Sequence, residues 1–230
     1  MVTIARRDAP AQSLEGVFVA AAAGETRGAV LAPPHPLYGG SLESPVLSEL
    51  AFACTQRGLA SLRFNWRGIG ASAGEPSGEE SAADLDYASA LDHLAETVAG
   101  PLVASGYSFG SAAAVRAARA MQGPRHSNEP PCPVPRSEAK PSEGAGVRVE
   151  RLVLVAPPPA LIAPAAIAAS GLPALVLAGE YDVHAPAREL AAAFERTPRI
   201  ELHVIAHADH FFLEGLAEIG RIASEWLAKA

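Results

Sequence analysis

The chain has 230 residues, 49% of them apolar and 19% charged, the balance of a globular protein with enough apolar side chains for a sizeable core. A net charge of −7 offers no basic face for nucleic acid, and no apolar run approaches the roughly 18 residues of a membrane-spanning helix. Cys54 and Cys132 are too few for a disulfide framework, and no Cys/His cluster has zinc spacing, so the expectation is a cytoplasmic protein without metal or cofactor and with no nucleic-acid or membrane partner.

At the start of the chain, Arg6 and Arg7 precede a short apolar run at 17–23 that Gly24 breaks, which is not the layout of a secretory leader. From there, apolar runs suited to buried strands alternate with helical patterns. Strands are expected at 14–20, 28–32, 60–65, 102–105, 151–156, 174–179 and 200–205. Helices are expected at 45–57, 79–97, 111–121, 185–196 and 216–229. Glu79 and Glu80 put negative charge at the start of the second helix, where its dipole favours it. The alternation predicts an α/β architecture: a mostly parallel central sheet covered by helices on both faces.

Residues 122–148 break the plan. They hold six prolines, several charges and no aromatic residue, a composition that buries too little apolar surface to offset its ordering entropy. They read as a disordered surface insertion between a helix and the next strand, with a substrate lid or a partner-binding proline segment as the alternatives.

The chemistry gathers at strand ends. Gly106-Tyr107-Ser108-Phe109-Gly110 joins an apolar strand to an alanine-rich helix. A serine in a sharp strand-to-helix turn, flanked by glycines two residues to either side, forms a nucleophile elbow. The glycines are needed because strand and helix approach too closely for a Cβ. The motif alone is weak and draws its weight from two residues further along the chain. A serine hydroxyl becomes a nucleophile when a histidine takes its proton and an acid fixes that histidine's tautomer. Asp182 lies just past strand 174–179 and His210 just past strand 200–205, in the order serine, acid, histidine that elbow proteins keep. All three fall on the sheet edge where open α/β folds place their sites. Glu180 competes as the acid but sits within the strand-end run. Asp209 adjoins the histidine and reads as a turn-former. His207 is the rival to His210; His203 reads as half-buried or solvated, and His184 and His93 as surface residues.

An oxyanion hole needs two backbone N–H groups. Phe109, after the nucleophile, supplies one. The other is expected from the loop Pro33-Pro34-His35-Pro36-Leu37-Tyr38-Gly39-Gly40, where prolines leave His35, Leu37 and Tyr38 as donors, His35 first and Leu37 second. The His35 side chain reads as a brace for that loop. The stretch from Asn65 to Gly74 reads as a structural turn, with Arg67 able to pair with Asp84 or Asp86.

These motifs together resemble the α/β-hydrolase superfamily, and more narrowly the small bacterial serine hydrolases related to dienelactone hydrolase, which lack a large cap. The resemblance rests on residues 34–40, 64–74, the serine elbow, Gly179-Glu180-Tyr181-Asp182 and Asp209-His210-Phe211-Phe212, and extends from 14 to 230. It implies one α/β-hydrolase domain over 1–230 with a minimal cap, Ser108 as nucleophile, Asp182 as acid and His210 as base. The family's usual His-Pro pair is replaced here by Pro33-Pro34, and the 122–148 stretch departs from its compact plan. The expected function is hydrolysis of small carboxylic esters, with short acyl groups, because 157–173 offers only one short apolar helix. An acyltransferase, thioesterase or peptidase on the same triad, or a hydrolase-like binding protein, are the alternatives.

Overall fold

The computed structural model of the chain describes residues 1–121 and 147–229. The expected proline-rich insertion, 122–148, therefore lies outside the described residues except for its last two positions.

Strands form along the runs of aliphatic and β-branched residues: β1 (Val2–Ala5), β2 (Ser13–Val19), β3 (Gly28–Ala32), β4 (Ala60–Phe64), β5 (Leu102–Tyr107), β6 (Val149–Val155), β7 (Ala174–Gly179) and β8 (Ile200–Ile205). They make one eight-stranded sheet in the order β1-β2-β4-β3-β5-β6-β7-β8. The pairs β1–β2 and β2–β4 are antiparallel, and every pair from β4 to β8 is parallel. All residues of β3, β5 and β7 are buried, as strands covered on both faces must be, whereas β2 is only half-buried.

The helices are α1 (Pro45–Gln56), α2 (Glu80–Ala95), α3 (Phe109–Met121), α4 (Pro164–Ala169), α5 (Ala187–Phe194) and α6 (Leu216–Leu227). Right-handed crossovers decide their faces. The step from β3 to β4 runs one way along the sheet, and all later steps run the other way, so α1 covers one face and α2 through α5 the opposite one. The packing agrees: α1 lies against α6, α2 against α3, and α4 against α5. The reversal falls between β3 and β5, where the outgoing connections diverge and leave a crevice past the carboxyl ends of both strands.

Two features depart from the sequence expectation. β1 is absent from the expected strands, because four residues beside two arginines carry too little periodicity to register; it is defined by pairing Val2–Ala5 with 13–16 of β2. Its neighbour Arg6 is buried, in an ion pair with Asp8 (2.8 Å). The elbow helix also begins at Phe109 rather than 111, since it starts directly after the turn.

The 65–74 turn is structural, as expected. The Asn65 amide donates to Glu15 (2.8 Å) and accepts from the Leu42 N–H (2.8 Å). Arg67 pairs with the buried Asp86 (2.7 Å), while Asp84 goes to Arg116 (2.7 Å). Between β6 and β7 the one helix is the six-residue α4, which packs on α5 along the helical layer. Among the described residues, no helix is long and apolar enough to cross a membrane.

Candidate active site

Ser108 sits between the last residue of β5 and the first of α3, at φ 54°. Side-chain-bearing residues rarely adopt this left-handed conformation, and it turns the hydroxyl out of the sheet edge. The surroundings hold it there. The Ser108 N–H donates to the Val155 carbonyl (2.8 Å), and the Ser111 hydroxyl lies 2.7 Å from the Gly106 carbonyl and 2.9 Å from that of Val155. A Cβ on Gly106 would run into the Gly110 backbone, and one on Gly110 would come within 2.6 Å of the Pro33 carbonyl. Both glycines are therefore fixed by close approach, as their positions in the motif predict.

The structure brings Ser108, Asp182 and His210 together. The Ser108 hydroxyl oxygen lies 2.9 Å from His210 Nε2, and His210 Nδ1 lies 2.8 Å from Asp182 Oδ2. The other carboxylate oxygen, Oδ1, accepts from the backbone N–H groups of His184 and Ala185, each at 2.8 Å. Burial works against the Asp182 charge, but the hydrogen bonds from His210 and from these two amides outweigh it and hold the carboxyl below its ordinary value. An ionised acid on Nδ1 fixes the proton there and leaves the Nε2 lone pair facing the serine. The arrangement can thus draw the proton from the hydroxyl.

The competing residues are engaged elsewhere. Glu180 accepts from the His207 N–H (2.8 Å), and exposed His207 pairs with that carboxylate and with Tyr181. Asp209 accepts from the Phe211 N–H (2.9 Å), the turn expected of it. His203 is exposed on β8 beside Glu201.

The first loop carries the expected brace, and its N–H groups divide into engaged and unengaged ones among the described residues. His35 caps the short 3-10 turn Pro36–Tyr38, its Nδ1 accepting from the Leu37 N–H (3.2 Å), and the Tyr38 N–H goes to the His35 carbonyl (3.1 Å). The Leu37 and Tyr38 N–H groups are thus engaged inside the turn. The N–H groups of His35 and Phe109 take part in no hydrogen bond among the described residues. The His35 ring packs 4.7 Å from that of Phe109, and burial lowers its pKa, which keeps Nδ1 free to accept. Trp66 Nε1 donates to the carbonyls of Pro33 (3.2 Å) and Pro34 (3.0 Å) and pins the loop's start.

Two neighbours escape the sequence reading. The Tyr107 hydroxyl donates to the His210 backbone carbonyl (2.7 Å), tying the elbow strand to the histidine loop. His184, expected as a surface residue, is exposed but sets its ring edge-on to that of His210 at 4.9 Å. Both contacts join residues far apart in the chain, and no local pattern encodes them.

No protein-family model matches the sequence, and no curated protein does. Solved structures do. The chain is similar to an α/β serine hydrolase homologue from Coxiella burnetii, at 24% identity over 95% of this chain and 93% of that one, with a TM-score of 0.76. A serine hydrolase without a lid from Xanthomonas campestris matches at 19% identity over 99% of this chain and 93% of that one, TM-score 0.74. A dienelactone hydrolase from Anabaena variabilis matches at 21% identity over 99% and 95%, TM-score 0.72. The chain has the α/β-hydrolase fold, as the motifs predict.

Removing the Tyr107 hydroxyl tests its tie to the histidine loop. Tyr107→Phe leaves a buried ring in place and orphans one carbonyl, which costs about 1 kcal/mol of stability. The substitution should lower the rate of the site's reaction at saturating substrate while leaving the fold intact by circular dichroism. An unchanged rate would show that the loop holds His210 without it.

Proposed function

We propose that the protein is a serine hydrolase of carboxylic esters, with small-molecule esters as substrates. The observation that carries this reading is the continuous relay from Ser108 through His210 to Asp182, at 2.9 and 2.8 Å, set on the same sheet edge as two unengaged N–H groups. The similarity to solved serine hydrolases supports the reading at the level of the fold.

In the proposed cycle the Ser108 oxygen attacks the ester carbonyl carbon as its proton passes to His210 Nε2. The carbonyl oxygen takes the negative charge and is met by the N–H groups of Phe109 and His35. Collapse of the tetrahedral species breaks the bond to the alcohol oxygen, which leaves with the proton from Nε2, and Ser108 remains acylated. Water then attacks the acyl carbon and gives its proton to Nε2. A second collapse expels the serine oxygen, which recovers that proton, and the acid product departs. Asp182 keeps its charge throughout and stabilises the imidazolium at each passage.

Labelling with a fluorophosphonate probe tests the nucleophile. The protein should be labelled at Ser108, and Ser108→Ala should lose both labelling and nearly all ester turnover, with His210→Ala costing about as much because triad members act as a unit. Turnover near the wild-type rate in either variant overturns the mechanism. Labelling without turnover of any ester would point to a binding protein, and transfer to added alcohol in preference to water would point to an acyltransferase.

The pH dependence has a defined sign. The base must be neutral to take the serine proton, so the rate should rise with pH. Asp182 is held below the ordinary carboxylate value and is already ionised across this range, so it adds no second limb. A rate that stays level from about pH 5 to 9, with chemistry limiting, contradicts histidine as base.

Chain length tests the size of the acyl site. The segment between β6 and β7 contributes one short helix that packs on α5 instead of roofing the crevice. A long acyl chain then buries only its first carbons, at about 0.8 kcal/mol per methylene. With p-nitrophenyl esters, kcat/KM should peak at about two to six acyl carbons and fall beyond, without interfacial activation. Preference for long-chain triglyceride overturns it.

A further inference from the structure

Resting on the ester-hydrolase reading, we propose that the site takes esters whose leaving alcohol carries a flat apolar ring, and that Phe211 and His184 bind that ring. The chemistry itself orients the substrate. The leaving oxygen must collect its proton from His210 Nε2, so the alcohol lies beside the imidazole, whereas the carbonyl oxygen lies toward Phe109 and His35. An exposed ring against the imidazole is therefore within reach of the alcohol.

Three rings flank it. Tyr107, at 5.8 Å between centroids, is buried beneath. The other two are exposed: His184 at 4.9 Å and Phe211 at 5.8 Å, both edge-on to the imidazole. Phe211 is 66% exposed, although it adjoins the histidine directly. Val183 and Leu213, one residue before His184 and two after Phe211 in the chain, are still more exposed. Exposed apolar residues scattered singly need no explanation, but two exposed rings that both meet the imidazole of a reacting centre mark a surface that a ligand covers. The occupant with a reason to be there is the substrate's alcohol half, held by proton transfer against these rings. An aromatic ring fits best, since edge-to-face and stacked ring pairs gain beyond the area they bury.

Two constitutional isomers test this. Benzyl acetate carries its ring on the alcohol, and methyl phenylacetate carries it on the acyl group; their leaving alkoxides are of similar basicity. The protein should hydrolyse benzyl acetate with the higher kcat/KM. Phe211→Ala and His184→Ala should each lower the ratio of kcat/KM for benzyl acetate over methyl phenylacetate by roughly three- to tenfold, mainly through KM. A fall shared equally by both isomers overturns the proposal, because the rings would then only brace His210. A larger loss on methyl phenylacetate also overturns it and puts the rings on the acyl side. An unchanged ratio with a changed oligomeric state would assign the patch to a second copy of the chain. If neither isomer is turned over and the fluorophosphonate fails to label Ser108, the ester-hydrolase reading falls, and this inference with it.

Discussion

The site depends on one strained residue. Ser108 holds φ 54°, a conformation that costs a side-chain-bearing residue on the order of 1–3 kcal/mol. Nothing in serine itself favours it. It persists because β5, β6 and α3 close around it: the Ser108 N–H is taken by Val155, and the Ser111 hydroxyl fills the gap between the carbonyls of Gly106 and Val155. The two glycines let strand and helix approach until the backbones nearly touch. Relaxing Ser108 into an ordinary helical or extended conformation would aim the hydroxyl away from His210 and forfeit these bonds together.

Among the described residues, strain of this kind falls on one edge of the sheet. The non-glycine residues with positive φ among those described are Ser108, Ala156, His207 and Phe212. The first two come directly after β5 and β6, and the other two lie in the loop after β8 that carries His210. Among the described residues the opposite edge has none. The buried parallel strands supply the stability, and the loops at their carboxyl ends draw on it to hold unfavourable turns, which is how an over-determined scaffold supports a reactive arrangement.

The scaffold is the legible part. β3, β7 and β8 match their expected bounds because strands covered by helices read as unbroken apolar runs with sharp ends, such as Gly28 to Ala32. Ser108, Asp182 and His210 are legible for a related reason: each comes just after such a run, so chain order alone places them on one edge. What the sequence hides is non-local. β1 exists through its pairing with β2, Arg6 is buried through partners that include Asp8, and Tyr107 meets the backbone of His210, 103 residues along the chain. The first loop shows the same limit. Counting prolines leaves three donors, and only the fold of the turn, with His35 Nδ1 facing the Leu37 N–H, shows which are consumed.

The proposed acid and base are held by different means, and the difference matters chemically. Asp182 is anchored by two backbone amides on one oxygen, so its position does not depend on His210 being present or charged. His210 has its ring fixed by Asp182 at Nδ1 and its backbone carbonyl held by Tyr107, a residue adjacent to the nucleophile. Nucleophile and base are thus referenced to the same strand end, and a shift of β5 carries both. The imidazole must gain and lose a proton twice in each proposed cycle, and a base hung from the nucleophile's own strand can do so without its distance to the serine drifting. The imidazole also meets the exposed rings of His184 and Phe211, each edge-on. Rigid support beneath and open apolar surface above divide the labour between chemistry, which the sheet fixes, and selectivity, which the exposed loops can vary without disturbing it.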